Sequence, residues 1–292
     1  MNRTRLWAAL SRCSLLGSLL GGLLGSLASA GCGKQTFLAA AFVQTPSVPG
    51  PPGSKSPIPA YAVLTAYLGT IDTTDPTKID SSKVAGLPGA DAKVYFHSPA
   101  STSDTLLSVG DQQAGKYLID SRDTPGLTFE PGVPYTLVLT PPGESGEAFG
   151  ARFSPGPAAG LKEFPPSAPY QEQPVLAQDF TVTRTDGPGS DGRLSPAFYL
   201  VAKVDPNNPA ATPVLTATNV PQDATSLLQY VLSDQPYRAA SFLIPGPKAF
   251  AQPGYYVVSL LAIQQGKVSS NAFLGSIALT GTGGAGLLKV GP

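Results

Sequence analysis

Short apolar runs separated by turn residues recur along most of the chain. In the run from Tyr135 to Thr140 the large apolar side chains fall on every second residue, as on the buried face of a strand. Residues 255–263 are apolar on both faces apart from Ser259, which is typical of a central strand. This pattern predicts an all-β protein built of β-sandwiches rather than a parallel α/β sheet. The predicted strands are residues 62–68, 92–97, 105–109, 116–120, 127–129, 134–140, 148–153, 180–185, 197–204, 214–218, 227–232, 241–244, 255–263, 276–280 and 287–290.

The composition narrows that prediction. The 292 residues include 32 glycines and 31 prolines, the two residue types least compatible with a helix interior. The 12 phenylalanines and 11 tyrosines, among many valines, leucines and isoleucines, argue against wholesale disorder. Charged residues make up only 13% of the chain and the formal net charge is zero. Because no excess positive charge is present to displace counterions, nucleic acid is not expected as a partner.

Two proline-rich stretches divide the chain. Residues 32–60 predict an extended tether, because closely spaced prolines favour polyproline II geometry. Residues 37–43 within that stretch are apolar and could instead dock onto the first domain as an edge strand. Residues 156–175 predict a second proline-rich linker. The predicted organisation is therefore a first β-sandwich domain over residues 61–155 and a second over residues 176–292.

Each predicted domain contains a Pro-Gly pair shortly before a tyrosine that leads into a strand. The pair Pro131-Gly132 precedes Tyr135, and the pair Pro253-Gly254 precedes Tyr256. Both segments resemble the E–F corner of fibronectin type III and related immunoglobulin-like domains. The resemblance implies two Greek-key β-sandwiches, in which the hydroxyl groups of Tyr135 and Tyr256 bond to the backbone upstream and act as structural corner residues.

A different resemblance concerns the first domain alone. Residues 89–94 together with residues 115–117 are similar to transthyretin-type and carboxypeptidase-regulatory-like modules. The chain also lacks the tryptophan that immunoglobulin-like domains carry on strand C, because its one tryptophan is Trp7. Both families are β-sandwiches, so the fold class is the same under either resemblance.

The first 31 residues predict a cleavable export signal. Three arginines, Arg3, Arg5 and Arg12, precede an apolar stretch of leucine, glycine and serine over residues 13–27. The small residues at positions 28–30 then form an Ala-x-Ala pattern of the kind that leader peptidases cut. A permanent membrane helix is the alternative, but a span needs about 20 predominantly apolar residues.

The position of Cys32 suggests how the exported protein is attached. Cys13 lies inside the leader, so Cys32 would be the only thiol of the mature chain and no intramolecular disulfide is possible. The segment Ala30-Gly31-Cys32 resembles the lipobox of bacterial lipoproteins, although Ser29 stands where that family has an aliphatic residue. The resemblance implies that Cys32 is acylated and anchors the protein in a membrane. Simple cleavage after Ala30 is the alternative.

The sequence predicts no catalytic residue and no cofactor. The single histidine, His97, lies on the solvent-facing side of its predicted strand with Lys93 and Tyr95. A second histidine for a zinc site and a Gly-x-Ser-x-Gly nucleophile motif are both missing from the sequence. Residues 281–286 match Gly-x-Gly-x-x-Gly but lack the helix and strand that a dinucleotide site needs, and they predict a glycine turn instead.

The sequence contains candidate residues for two other types of binding site. Calcium could use carboxylates in two acidic loops, but their spacing is irregular and predicts ordinary turns without metal. Those carboxylates are Asp72, Asp75, Asp80, Asp186 and Asp191. Sugar binding would rely on exposed tyrosines, for which the candidates are Tyr95, Tyr170 and Tyr237.

The sequence therefore predicts an exported, non-enzymatic lipoprotein of the bacterial cell envelope. We expect it to be anchored through Cys32 in the outer membrane or facing the periplasm. Its two immunoglobulin-like domains would bind another envelope or extracellular protein or give structural support. A carbohydrate-binding module or surface hydrolase is the alternative, and a clustered groove of exposed tyrosines and carboxylates would favour it.

Overall fold

The computed structural model describes residues 34–54, 56–72, 84–99, 101–143, 147–156, 158, 160–173, 175–208, 211, 213–220, 235–273 and 276–291. Over these residues the protein has an all-β sandwich fold, which confirms the predicted fold class. The described helical structure comprises a 3₁₀ turn at Gln235–Arg238 and one α-helical turn at Gly246–Ala249. In the described part of the chain, no helix has the length and apolar character needed to span a bilayer.

The described strands fall into three sheets. In chain order they are β1 (Lys34–Thr45), β2 (Tyr61–Asp72), β3 (Val84–Gly86), β4 (Asp91–Phe96), β5 (Thr105–Ser108), β6 (Gly110–Asp111), β7 (Lys116–Asp120), β8 (Tyr135–Thr140), β9 (Phe149–Phe153), β10 (Tyr170–Gln173), β11 (Phe180–Thr183), β12 (Ala197–Val204), β13 (Val214–Thr218), β14 (Ser241–Ile244), β15 (Gly254–Gln265), β16 (Lys267–Val268) and β17 (Ile277–Val290). Most predicted strands appear within one or two residues of these bounds. Residues 127–129 are not a strand, although Leu127 and Phe129 are buried, and residues 227–232 lie outside the described residues.

A ten-stranded sheet extends through both halves of the chain. Its order is β13-β12-β15-β17-β1-β2-β7-β6, with β10 also paired to β17 and β3 to β2. Strand β15 pairs with β12 on one side and with β17 on the other, which confirms that residues 255–263 form a central strand. The buried run Val258, Leu260, Leu261 shows why this strand needs apolar residues on both faces.

The first sandwich forms where one end of this sheet packs against a five-stranded sheet of order β16-β9-β8-β4-β5. Strand β8 alternates between buried and half-buried residues, with Tyr135, Leu137 and Leu139 inside. The centre of the core is the ring of Phe42 from β1. Its centroid lies 4.7 Å from those of both Phe129 and Tyr135. Side chains from the two sheets therefore interdigitate in one aromatic core.

The second sandwich forms at the other end of the ten-stranded sheet, where β12, β15 and β17 face a two-stranded sheet of β11 and β14. The helical turn Gly246–Ala249 and Phe164 complete that core. Phe250 lies at its centre and makes edge-on contacts with Tyr256 and Phe180, at centroid distances of 5.3 and 6.3 Å. The second core is therefore covered by several short segments, whereas the first core is covered by a broad second sheet.

Strand β17 belongs to both sandwiches. Its residue Ala278 packs in the first core, whereas Leu288 and Val290 pack in the second. The segment before it also crosses the boundary, because β16 pairs with β9 of the first sandwich directly after β15 has ended in the second. The two sandwiches are therefore joined through continuous hydrogen-bonded strands.

The first part of the predicted tether has a different structure from the one expected. Residues 34–45 form β1, which pairs antiparallel with β2 along its whole length and parallel with β17 over residues 39–44. Phe37 and Leu38 on opposite faces are both buried. The side chains of β1 are apolar on both faces of the strand, and both faces are buried because the strand lies in the interior of the sheet. The alternative, that residues 37–43 form an edge strand, is closer to the structure. It differs in that β1 pairs with β2 on one side and with β17 on the other.

The predicted linker also contributes to the second sandwich. Leu161 and Phe164 are buried in its core, and Tyr170–Gln173 forms β10 beside the end of β17. Prolines are compatible with a strand at the edge of a sheet, because the backbone N–H groups on its outer side have no partner strand.

The glycine-rich segment 281–286 is part of strand β17, so the predicted glycine turn is wrong. The reason is close packing. A β-carbon on Gly286 would lie 2.0 Å from the ring of Phe164, and one on Gly281 would lie 2.7 Å from the side chain of Ile263. Glycine is thus used here to let a ring and a neighbouring strand approach the backbone.

Candidate functional site

The outward surface of the five-stranded sheet carries the most distinctive set of exposed side chains in the described structure. Cross-strand pairing aligns five of its residues in one row, which we call the outer row: Lys267, Arg152, Thr136, Tyr95 and Leu106. Each residue comes from a different strand. At about 4.8 Å between neighbouring strands, the row spans about 19 Å.

Strand alternation explains why these side chains point outward. In β4 the burial alternates, with Val94 and Phe96 inside and Tyr95 outside, as the sequence predicted. In β9 the neighbours of Arg152, Ala151 and Phe153, are buried in the first core, which leaves the arginine exposed. The same strands therefore supply the buried residues of the core on one face and the outer row on the other face.

The two ends of the outer row differ in chemistry. At the β4–β5 end, Tyr95 and Leu106 are exposed by 40% and 52% and stand directly opposite each other. At the β9–β16 end, Arg152 and Lys267 stand directly opposite each other and are both exposed. Half-buried Thr136 lies between the ends. The row thus combines an apolar pair with a cationic pair.

The acidic groups close to this surface are engaged by other side chains. The Asp91 carboxylate accepts a hydrogen bond of 2.5 Å from Lys93 Nζ, which raises the pKa of Lys93. Asp104 Oδ1 lies 3.0 Å from His97 Nδ1. Of the carboxylates that the structure describes, none forms an ion pair with Arg152 or Lys267.

The two predicted corner tyrosines are each buried in one of the two cores, Tyr135 on β8 of the five-stranded sheet and Tyr256 on β15 of the ten-stranded sheet. Tyr135 is fully buried, and its hydroxyl accepts a hydrogen bond of 2.9 Å from the backbone N–H of Glu130. Tyr256 is 1% exposed, and its hydroxyl donates a hydrogen bond of 2.7 Å to the carbonyl oxygen of Gln252. Burial raises the pKa of both phenols. Neither side chain is available to a ligand from the surface.

A third tyrosine with this type of contact was missed by the sequence analysis. Tyr117 is fully buried; its hydroxyl donates to the carbonyl oxygen of Leu87 at 2.6 Å and accepts from the N–H of Ala90 at 2.9 Å. It fixes the turn before β4, in which Gly89 has a φ of +78°. The alternation around β7 could have placed Tyr117 in the core, but its backbone partners are about 30 residues away in sequence.

The remaining predicted site residues are dispersed. Cys32 lies outside the described residues. His97 is exposed and pairs with Asp104 beside the outer row. Tyr170 donates a hydrogen bond to Glu172 on β10, whereas the Tyr237 ring packs edge-on against Phe198 at 5.5 Å. With Tyr95 on β4, the three candidate sugar-binding tyrosines lie on three different elements.

The acidic loops that were considered for calcium contain other interactions. Asp186 receives two hydrogen bonds from the buried guanidinium of Arg184, which also donates to the carbonyl oxygen of Ser195 at 2.6 Å. Asp191 accepts a hydrogen bond from the N–H of Arg193 in a turn. Asp75 and Asp80 lie outside the described residues. Within the described ranges, no group of three or more metal-ligating side chains is present.

A polar cluster lies where β2 begins and β7 ends in the first sandwich. The buried Asp120 accepts a hydrogen bond of 3.0 Å from the hydroxyl of Tyr61, and the Arg122 guanidinium lies 4.0 Å from the centroid of the Tyr61 ring. Asp120 also accepts from the N–H groups of Arg122 and Asp123. Because its groups satisfy one another, this cluster joins β2 to the turn after β7 and leaves few groups free for a ligand.

Comparison with known proteins supplies no family for the chain. No protein-family model and no curated protein matches it. Among solved structures it is similar to the chicken CNTN1 FN1–FN3 domains, with 9% identity, a TM-score of 0.22 and coverage of 88% of this chain and 64% of that one. A two-domain fibronectin type III segment of chicken tenascin gives 11% identity, a TM-score of 0.20 and coverage of 88% and 99%. The chain therefore spans slightly less than two thirds of the CNTN1 structure.

Proposed function

We propose that the protein is an exported, non-catalytic interaction protein, attached to a membrane of the bacterial cell envelope through an acylated Cys32. The observation that carries the interaction role is the outer row. It sets the exposed pair Tyr95 and Leu106 in line with Arg152 and Lys267. Tyrosine and arginine are enriched in protein interfaces, where apolar contacts are combined with charged ones.

The fold supports an interaction role because the row stands on rigid elements. Three of its five residues, Arg152, Thr136 and Tyr95, lie on strands whose neighbouring residues are buried in the first core, and strands β8 and β9 are paired on both sides. A surface of this kind loses little conformational entropy when a partner binds.

The position of β1 bears on the proposed attachment. Only Gly33 separates Cys32 from Lys34, the first residue of β1. Two residues of fully extended chain reach about 7 Å. Acylation of Cys32 would therefore hold the first sandwich close to the bilayer, without the proline-rich tether that the sequence predicted.

The attachment is tested by the substitution Cys32→Ser. We expect the wild-type protein to incorporate an acyl label and to fractionate with membranes, and the variant to do neither. The substitution Cys13→Ser is the matched control, because Cys13 would be removed with the leader. A wild-type protein that takes up no label, or a Cys32→Ser protein that still takes it up, would contradict lipidation at Cys32.

The alternative of a carbohydrate-binding module or surface hydrolase stays a prediction. It would need sugar contacts at Tyr95, Tyr170 or Tyr237 singly, because the three lie on separate elements. Binding of envelope polysaccharide that is lost on Tyr95→Ala but kept on charge reversal at Arg152 would favour it over the proposed protein interaction.

A further inference from the structure

We propose that the outer row binds an acidic, extended segment of a partner protein. The carboxylates of that segment would contact Arg152 and Lys267, and an apolar side chain of the same segment would cover Tyr95 and Leu106. This inference rests on the proposed interaction role, and it adds the chemistry of the partner and its direction across the strands.

The cationic end of the row carries the charge argument. Arg152 and Lys267 are direct cross-strand neighbours on an exposed face. Like charges in this position destabilise a sheet, whereas opposite charges stabilise it. An anionic group bound between the two side chains would change that repulsion into attraction. In the free protein the positive charges of Arg152 and Lys267 therefore repel each other, and an acidic partner bound between them would reduce that repulsion.

The surrounding charges leave this pair available. Asp91 is engaged by Lys93, and Asp104 by His97. Arg152 and Lys267 have no ion-pair partner among the carboxylates in the described ranges. A partner's carboxylate would thus meet two cations without displacing an internal ion pair.

The apolar end distinguishes this surface from the other described strands that expose a large apolar residue. Leu243 on β14 and Val214 on β13 are exposed by 60% and 62%, but Leu243 faces Thr181 and Val214 faces Lys203 across the sheet. Tyr95 and Leu106 instead face each other and form a small apolar pair. Isolated exposed apolar residues are ordinary on protein surfaces, whereas a tyrosine–leucine pair in line with two cations suits an interface.

The distance between the two ends favours a polypeptide. The midpoints of the apolar pair and of the cationic pair are three strands apart, which corresponds to about 14 Å. In an extended peptide, residues four positions apart project on the same side about 13 Å from each other. An acidic polysaccharide could satisfy the cations, but its rings would offer no aliphatic side chain to Leu106. An anionic bilayer would contact the cations without selecting the apolar pair.

The test uses the full chain and a synthetic peptide of about twelve residues, mostly serine and threonine, with a leucine pair four positions before a glutamate pair. Binding is followed by NMR titration of the ¹⁵N-labelled protein. We expect amide shift changes at the outer row, and weaker binding as the salt concentration rises from about 0.05 to about 0.5 M, since salt screens exposed charges. Three further probes are a peptide with glutamine for glutamate, a peptide with serine for leucine, and dextran sulfate.

The decisive variants change one end of the row at a time. We expect Arg152→Glu with Lys267→Glu to weaken binding of the acidic peptide about tenfold, because two attractive contacts become repulsive. Leu106→Ser should weaken it by a smaller factor without affecting the salt dependence. The matched controls are Lys248→Glu and Leu243→Ser, which change an exposed lysine and an exposed leucine of the second sandwich and should leave binding unchanged.

The outcomes separate the proposed partner from its rivals. Saturable binding that needs both the leucines and the glutamates, and that fails in the charge-reversal variant, supports an acidic protein segment. Equal binding of dextran sulfate and of the peptide lacking leucine would show a general polyanion surface and overturn the proposal. No shift at the outer row with any probe would also overturn it. Neither result depends on Cys32, so the acyl-label experiment tests the proposed attachment independently.

Discussion

The two sandwiches share one ten-stranded sheet but enclose their cores by different means. The first core lies under a five-stranded sheet, so its outer surface is a continuous plane of alternating side chains. The second lies under the two-stranded pair β11–β14, the helical turn Gly246–Ala249 and the ring of Phe164. A core enclosed by a broad sheet leaves a flat, rigid face available for binding. A core enclosed by short segments depends more strongly on individual side chains.

The polar groups of the two halves show the same contrast. In the second sandwich Arg184 is buried and donates two hydrogen bonds to Asp186. In the first sandwich the corresponding arginine, Arg122, is 42% exposed beside the buried Asp120. The cation of the pair is therefore buried in one half and exposed in the other.

The largest effect is expected when β1 is removed. A chain that begins at Tyr61 loses Leu38, Ala40 and Phe42 from the first core. Truncating a single buried Leu or Phe costs about 2–5 kcal/mol, and typical domains have only about 5–15 kcal/mol of stability. The second core contains no β1 side chain, and β1 contributes only Val43 to the neighbouring cluster around Phe198 of β12. We therefore expect amides of β8 to lose hydrogen-exchange protection while those of β12 keep it.

The result bears directly on domain independence. The predicted boundary at residue 61 implies that residues 61–155 fold alone, whereas the packing of β1 implies that they do not. Loss of protection in both halves would show that the shared sheet folds as one unit and would contradict the comparison of two separate cores.

Truncation of the corner tyrosines is expected to have the next largest effect. Tyr135→Ala and Tyr256→Ala each remove a ring that is at most 1% exposed, and each should lower the free energy of unfolding by about 3–5 kcal/mol. Denaturant melts measure the change. The control is Tyr95→Ala on the exposed face, which should stay within about 0.5 kcal/mol of wild type. Wild-type midpoints for both corner variants would exclude a structural role for these residues.

Removal of the buried arginine should have a smaller but still large effect. Arg184→Met leaves the Asp186 carboxylate, one quarter exposed, without its cation and the Ser195 carbonyl without its donor. We expect a loss of about 3 kcal/mol. Arg122→Met should cost less than about 1 kcal/mol, because the buried Asp120 carboxylate keeps its hydrogen bonds from the Tyr61 hydroxyl and two backbone N–H groups. Equal costs in urea melts would show that the two ion pairs have the same role and would remove this contrast between the sandwiches.

The smallest expected difference concerns the direction of the tyrosine hydrogen bonds. Tyr135→Phe deprives the Glu130 N–H of its acceptor, whereas Tyr256→Phe deprives the Gln252 carbonyl of one donor. An unsatisfied N–H is rarer in proteins than an under-satisfied carbonyl, and Gln252 is exposed to water. Within the usual range of about 0.5–1.5 kcal/mol, Tyr135→Phe should therefore lie near the top and Tyr256→Phe near the bottom. The reverse order in parallel melts would be inconsistent with these contacts.

Strand positions were predictable from the sequence because alternation is a local property. The pattern of β8 and the two-sided apolar run of β15 identified both strands and their buried residues. The Pro-Gly-Tyr segments identified two tyrosines that the structure buries against upstream backbone. In each case, residues close together in the chain contain the necessary information.

Prolines and glycines were the less reliable signals. The proline-rich stretch beginning at residue 32 predicts a tether, yet its first apolar run forms β1. The glycines at 281–286 predict a turn, yet they lie in the middle of β17. These residues fit a strand because of what packs against them, such as Phe164 on Gly286, and that neighbour is distant in the sequence.

The all-β class, the position of most strands and the outward direction of Tyr95 follow from local sequence patterns alone. Tertiary structure decided that one sheet serves both cores and that β1 lies parallel to β17. It also decided the outer row, because Lys267 and Arg152 are more than a hundred residues apart in the chain and meet only through the register of β16 on β9. Local pattern sets which way a side chain points, whereas strand pairing alone sets which side chains become neighbours.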